Sequence, residues 1–137
     1  MPKNKYKYIT IYNIFMSQLE ILTEIRDRNH FAELLQTNPG LFIIKFGADW
    51  CGPCKKIEGL VNEWFSKTNE NVQCAIIDVD ESFDIYAFLK SKKMVNGIPA
   101  ILCYEKGNHS YVPNDVVIGA DVQQINAFFT RNLQQVM

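Results

Sequence analysis

The sequence predicts a single α/β domain with a mixed central β-sheet and helices on both of its faces. Two observations lead to this prediction. Short apolar runs typical of strands alternate with segments of helical period, in the order β-α-β-α-β-α-β-β-α. One of these runs, Leu41–Gly47, is almost continuously apolar, which is typical of a central strand covered on both faces. With 137 residues, 47% of them apolar, the chain is long enough to bury one core without disulfide staples.

The elements before the central strand are the weakest in pattern. Residues Gln18–Ile25 alternate loosely between apolar and polar, and predict a short first strand. Asn29 is placed to cap a short helix over His30–Gln36. We expect residues 1–18 to be a weakly ordered N-terminal extension, or translation to begin at Met16, and residues 19–137 to form the domain. An added edge strand and a cryptic export signal are the alternatives for the extension, whose apolar stretch is too short and interrupted for an ordinary signal peptide.

The central strand is followed by a change to helical period at Cys51. The apolar residues of this helix fall on one stripe: Cys54, Ile57, Leu60, Val61, Trp64 and Phe65. This stripe places Cys54 on the core side of the helix and Cys51 at its exposed start. Two thiols therefore stand at a helix N-terminus, where free backbone N–H groups and the helix dipole favour a thiolate. The pattern predicts a redox-active dithiol.

The second half of the chain completes the sheet. Val72–Val79 predicts a strand, and Ser82 can cap a helix that runs to about Lys92. Ala100–Tyr104 and Val116–Ile118 predict two further strands, joined through a turn. Asp121 and Gln124 form a capping-box signature for a last helix, whose apolar stripe is Val122, Ile125, Phe129, Leu133 and Val136.

The composition argues against several classes of function. The net charge of −1 gives no basic excess, which argues against a nucleic-acid partner and against a membrane surface. A zinc site needs about four ligands, and the sequence has one Cys-x-x-Cys, with His30 and His109 at no ligand spacing. We therefore expect no metal. Cys74 and Cys103 lie in predicted strands, where we expect them to be buried and structural.

Three segments together resemble the thioredoxin family. The run Trp50-Cys51-Gly52-Pro53-Cys54-Lys55 matches that family's active-site motif in full. Gly97-Ile98-Pro99, which ends 45 residues beyond Cys54, matches its cis-proline segment. Val117-Ile118-Gly119-Ala120 resembles the glycine-containing loop on the far side of its substrate groove. The similarity covers residues 19–135 in order, and implies a thioredoxin fold.

The resemblance implies a protein thiol-disulfide oxidoreductase that reduces protein disulfides. Cys51 would be the nucleophile and Cys54 the resolving cysteine, with Cys51–Cys54 as the redox-active disulfide. The residues expected to bind substrate are Trp50, Gly52, Pro53, Ile98, Pro99, Gly119 and Ala120. A disulfide-forming oxidase or isomerase and a thioredoxin-fold interaction module are the alternatives. No cofactor is expected, since the sequence has no nucleotide-binding glycine motif.

One position departs from the family pattern. Thioredoxins usually carry a buried aspartate six residues before the first active-site cysteine, and this chain has Lys45 there, with Ile76 aligned opposite. We interpret Lys45 as a group that tunes the pKa of Cys54, either as a cation or, when neutral, as a base. The alternative is that Lys45 extends past the sheet to solvent or pairs with Asp78.

Catalysis needs both redox states of the dithiol, so electrons must come from outside the chain. The resemblance implies protein disulfides as substrates and recycling by a thioredoxin-reductase-like enzyme or by glutathione. We expect a monomer in the cytoplasm, serving electron transport and cell redox homeostasis. Packaging in a virus particle is the alternative, because the composition also fits the AT-rich genome of a large DNA virus.

Overall fold

The computed structural model describes residues 18–137, so the expected extension over residues 1–18 lies outside it except for Gln18. The described chain contains four helices and four strands. In order they are α1 (Arg28–Gln36), β1 (Leu41–Gly47), α2 (Gly52–Ser66), β2 (Val72–Asp78), α3 (Phe83–Ser91), β3 (Ala100–Glu105), β4 (Asp115–Ile118) and α4 (Val122–Leu133).

The four strands form one mixed sheet in the order β2-β1-β3-β4, which confirms the predicted sheet type. Strand β1 pairs in parallel with β2 and antiparallel with β3, and β3 pairs antiparallel with β4. Since β1 lies between two neighbours, its backbone is satisfied on both edges. The register sets Lys45 opposite Ile76 on one side and Ile101 on the other.

Helices cover both faces of the sheet, as predicted. Alternate residues of a strand point to opposite faces, so Phe42 and Phe46 pack with α1 and α3, whereas Leu41 and Ile43 pack with α2 and α4. Lys45 stands two residues beyond Ile43 and belongs to the same face of β1 as Leu41 and Ile43. The strand therefore directs a lysine toward the helix that begins with the two cysteines.

The predicted first strand over Gln18–Ile25 is wrong. Only Leu22 forms a bridge, parallel to Ala75 of β2. Its N–H donates to the Cys74 carbonyl at 3.0 Å, and its carbonyl accepts from the Ile76 N–H at 2.8 Å. The segment meets the sheet at a single residue, which is too little pairing to make a strand.

Two of the predicted helix caps also differ. Asp27, not Asn29, caps α1, by accepting a hydrogen bond from the His30 N–H at 2.8 Å. Ser82 precedes α3, but its side chain makes no capping bond. The Ser82 hydroxyl is buried and instead accepts from the Ile25 N–H at 3.2 Å, because that backbone donor has no strand partner in a segment that makes only one bridge.

The last helix begins as predicted. Asp121 accepts a hydrogen bond from the Gln124 N–H at 3.0 Å and caps α4. The buried stripe is displaced from the predicted one: Val122 is exposed, while Phe128 and Asn132 are buried. Asn132 is buried because its amide donates to the Asp115 carboxylate at 2.7 Å and to the Phe128 carbonyl at 2.8 Å.

Candidate redox site

The two cysteines of the predicted motif are joined by a disulfide, and their Cα atoms lie 5.3 Å apart. They follow the C-terminal end of β1, where the chain turns into α2. Cys51 is the N-cap of α2, and its Sγ accepts a hydrogen bond from the Cys54 N–H at 3.2 Å. Pro53 lies in the first turn, where a missing N–H leaves no helix bond unmade. The sulfur of Cys51 therefore takes the place of an oxygen in an ordinary helix cap.

The expectation that Cys51 is exposed is wrong. Its exposed fraction is 5%, and that of Cys54 is 4%. The Cys51 sulfur is closed into the disulfide and lies 3.9 Å from the carbonyl oxygen of Ile98. The two cysteines are nevertheless unequal, since Cys51 borders Ile98 while Cys54 borders Gly47 on β1.

The two other cysteines have a different electrostatic environment. Cys74 and Cys103 are free and buried, as predicted. Burial raises the pKa of each thiol to about 12, because a thiolate is poorly solvated there. Thr68, which lies beside Cys74, only partly offsets this effect. The folded protein thus holds these thiols in the protonated, unreactive form.

The cis-proline segment lies beside Cys51, and the glycine loop is bonded to that segment. The Ile98–Pro99 peptide bond is cis, as expected, and Pro99 is buried while Ile98 is half-buried. The Gly119 N–H donates to the Pro99 carbonyl at 2.8 Å. Gly119 has φ +98°, a left-handed conformation that favours glycine. The glycine loop is thereby fixed directly to the cis-proline segment.

Trp50, Gly52 and Ala120 are also among the residues predicted to bind substrate. The Trp50 side chain is 70% exposed, and its indole N–H donates to an Asp80 carboxylate oxygen at 2.8 Å. Gly52 is exposed at the start of α2, whereas Ala120 packs partly against the core under α4. Trp50 thus stands as a large apolar surface next to the thiols, held by one hydrogen bond.

Lys45 lies on the Cys54 side of the disulfide. Its side chain is buried, with 5% of the residue exposed, and it lines a cavity of about 250 Å³ together with Gly47 and Cys54. Burial lowers the pKa of Lys45, and the nearby Glu58 carboxylate partly opposes that change. Among residues 18–137, the three ion pairs of 4 Å or less do not include Lys45, so the alternative pairing with Asp78 is wrong.

Two residues of the site were not identified from the sequence. Glu58 follows Cys54 by four residues, a spacing that places both on one side of a helix and could have indicated it. Asp80 follows β2 just as Trp50 follows β1. Strands β1 and β2 are parallel neighbours, so both end at the same edge of the sheet. The contact between Trp50 and Asp80 can therefore be predicted once the strand order is known.

The described residues provide neither a metal centre nor a membrane-spanning helix. No cluster of histidine, cysteine and acidic side chains within residues 18–137 is arranged to hold a metal ion. The His30 imidazole is used locally, since its Nδ1 accepts from the Arg26 N–H at 3.0 Å. In the same residues, every helix is too short or too polar to cross a bilayer.

Comparison with known proteins gives consistent matches. The family model described as Thioredoxin matches residues 22–131. Thioredoxin from Mycoplasma pneumoniae is 34% identical over 94 residues, covering 66% of this chain and 83% of its own. A bifunctional thioredoxin reductase/thioredoxin from Mycobacterium leprae is 27% identical over 100 residues, covering 73% of this chain and 20% of its own. The crystal structure of Malassezia sympodialis thioredoxin superposes with a TM-score of 0.61 at 27% identity, covering 84% of this chain and 96% of its own.

Proposed function

Since the chain belongs to the thioredoxin family and is a thiol-disulfide oxidoreductase, we propose that it reduces protein disulfides with Cys51 as nucleophile and Cys54 as resolving cysteine. One observation carries the assignment of roles: the Cys51 sulfur caps α2 and accepts the Cys54 N–H at 3.2 Å. A helix N-terminus stabilises negative charge, so the same position favours a Cys51 thiolate once the disulfide is reduced.

The reaction proceeds by two exchanges. The Cys51 thiolate attacks one sulfur of the substrate disulfide, which forms a mixed disulfide and releases the other substrate sulfur as a thiolate that takes up a proton. Cys54 then loses its proton and attacks the Cys51 sulfur. The second substrate sulfur leaves as a thiolate and is protonated, and the Cys51–Cys54 bond forms. Two electrons and two protons pass from the dithiol to the substrate disulfide.

Substrate binding is assigned to the surface around the cis-proline segment. Ile98 precedes β3, and its backbone N–H and carbonyl make no backbone hydrogen bond within residues 18–137. An extended substrate segment can pair with these groups as an added strand. Trp50, Gly52, Pro53, Pro99, Gly119 and Ala120 border the same surface and impose few side-chain requirements. This favours a reductant of many protein disulfides rather than of one.

A trapping experiment tests the roles of the two cysteines. In Cys54→Ser the mixed disulfide cannot be resolved, so we expect a stable covalent adduct between Cys51 and a disulfide-bonded protein such as insulin. Cys51→Ser should give no adduct, and neither variant should turn over insulin with dithiothreitol. Cys74→Ser serves as the matched control and should retain turnover, because Cys74 is buried in the core cluster between the sheet and helices α2 and α4, separate from the cluster that contains Cys51 and Cys54. An adduct at Cys54 in Cys51→Ser, with none in Cys54→Ser, would reverse the assignment.

The proposal extends to partners and location. We propose that a thioredoxin-reductase-like enzyme or glutathione returns electrons to the Cys51–Cys54 pair. The Mycobacterium leprae relative, which is named as a fusion of reductase and thioredoxin, supports the first of these. We propose that the protein is a monomer in the cytoplasm, whose reducing conditions fit the two free thiols of Cys74 and Cys103. Electron transport and redox homeostasis are the corresponding roles, and the oxidase and interaction-module alternatives are not favoured.

A further inference from the structure

A cavity of about 250 Å³ opens beside Cys54 and is lined by one buried lysine. Gly47 lines the same cavity, next to both residues. A β-carbon added to Gly47 would lie 3.5 Å from the Cys54 Sγ and 3.9 Å from the Lys45 Cε. Since glycine has no side chain, nothing from this position separates the lysine from the sulfur. The Lys45 stem and the Cys54 sulfur therefore border the same small space.

Within residues 18–137, no ion pair accounts for the burial of Lys45. It occupies the middle of the central strand, opposite Ile76 and Ile101. Burying an ammonium group without an ion pair is unfavourable, and an apolar residue at this position would pack with Leu41 and Ile43 at no such cost. Lys45 makes no ion pair of 4 Å or less within residues 18–137. A buried charge of this kind, next to a reacting sulfur, points to a role in the chemistry.

We propose that Lys45 is a positioning residue whose ammonium group stabilises the Cys54 thiolate across this cavity. The inference rests on the proposed function and deepens it. In the resolving step, the Cys54 thiol proton leaves to water through the open side of the cavity. The thiolate that remains faces a positive charge while it attacks the Cys51 sulfur. When the disulfide is reduced, the same charge stabilises the dithiol form.

Other charged groups face the cavity and act on Cys54 as well. They are the carboxylates of Asp49, Glu58, Asp78 and Glu81 and the ammonium group of Lys55. All of these side chains are exposed or half-buried, so solvent and salt screen their effect on Cys54. Lys45 is the one buried charge in this set. The electric field of Lys45 at Cys54 is screened least by solvent. Lys45 therefore determines whether these charges together raise or lower the Cys54 pKa.

Lys45 changes the Cys54 pKa in the direction opposite to that expected from the aspartate usual in this family. A carboxylate near Cys54 disfavours the thiolate, whereas an ammonium group favours it and lowers the Cys54 pKa. Because the reduced form is stabilised, the dithiol gives up its electrons less readily. This chain should therefore be a weaker reductant than the same protein without the Lys45 charge.

Three variants test the inference. Lys45→Met removes the charge and keeps the length of the side chain, and Lys45→Arg keeps the charge. Lys56→Met removes an exposed charge that does not line the cavity, on α2, the helix that carries Cys54. Two quantities are measured for each: the Cys54 pKa, from the ¹³Cβ shift of the reduced protein against pH, and the equilibrium of the Cys51–Cys54 pair with glutathione. We expect Lys45→Met to raise the Cys54 pKa and to shift the equilibrium toward the disulfide at least about tenfold, equivalent to about 30 mV. Lys45→Arg and Lys56→Met should stay within about threefold of the wild type.

A measurement on the unaltered protein keeps the inference testable if Lys45→Met does not fold. Coupling between two sites is reciprocal, so a Cys54 thiolate must raise the pKa of Lys45. The Lys45 side-chain signals should titrate at higher pH in the reduced protein than in the disulfide form. Equal titration in both forms, or equal effects of Lys45→Met and Lys56→Met, would overturn the inference. If the wild type fails to reduce insulin, the proposed function fails while these titrations still decide the role of Lys45.

Discussion

The four cysteines should differ in reactivity once the protein is reduced, and the structure sets the size of the difference. Cys51 caps α2, where the free backbone N–H groups and the helix dipole favour its thiolate once the disulfide is reduced. Cys74 and Cys103 are buried thiols whose pKa burial raises to about 12. We expect an alkylating reagent to distinguish Cys51 sharply from these two.

The magnitude follows from two opposing effects. At pH 8 a thiol of pKa about 12 is ionised to about one part in ten thousand, whereas a thiol of ordinary pKa, about 8.5, is ionised to about one part in four. Even with an ordinary pKa, and before any effect of the helix cap, this favours Cys51 by about 2,500-fold. The more basic thiolate is the better nucleophile, with a Brønsted slope of about 0.4–0.5, and over a pKa difference of about 3.5 this offsets the advantage by a factor of about 25–60. Cys51 should therefore react about 40–100 times faster than Cys74 or Cys103, before the steric protection of the buried thiols is added.

The assay is timed labelling of the reduced protein with iodoacetamide at pH 8, with each cysteine quantified by mass spectrometry. The same labelling in concentrated urea is the control, because unfolding returns all four thiols to an ordinary pKa of about 8.5 and should make their rates similar. Labelling of native Cys74 or Cys103 at a rate within about threefold of Cys51 would refute the reasoning, since neither burial nor the helix cap would then govern ionisation.

Two further predictions concern stability. Phe129 is fully buried, stacks on Trp64 at 5.3 Å and meets Phe65 and Phe128 edge to face. Phe129→Ala should lower the free energy of unfolding, measured by urea denaturation, by about 3–5 kcal/mol. Phe83→Ala, at an exposed position, should change it by less than about 0.5 kcal/mol. Equal losses in the two variants would contradict the placement of Phe129 in the core. Burial opposes ionisation of Asp115, but hydrogen bonds from Arg131 and Asn132 outweigh it and lower the pKa of that carboxyl. The ionised Asp115 stabilises the folded protein fully above the pKa of an unfolded aspartate, about 4, and this stabilisation is lost as pH falls through the lower pKa of the folded state. Asp115→Asn should therefore be less stable than the wild type near neutral pH and should lose less stability on acidification.

The local elements could be predicted because their causes are local. The apolar run of β1, the helical stripe after Cys51 and the cap at Asp121 each depend on residues within a few positions of one another, and all three are present. The exceptions arise where distant groups compete. Ser82 is a good cap by type, yet its hydroxyl bonds Ile25, which is 57 residues away. Gln18–Ile25 could not be judged from its own pattern, since a strand depends on how much of its partner it meets.

The sequence by itself determined the reaction class of this protein. Two cysteines at a strand-to-helix junction specify a redox dithiol, since helix geometry alone places them at an N-terminus. Only the tertiary structure decided what surrounds each sulfur. It buried Cys51 against Ile98, and it placed Lys45 and Glu58 at the cavity beside Cys54. Burial and electrostatic fields are sums over groups from separate elements, so they exist only once the sheet and helix α2 have packed together.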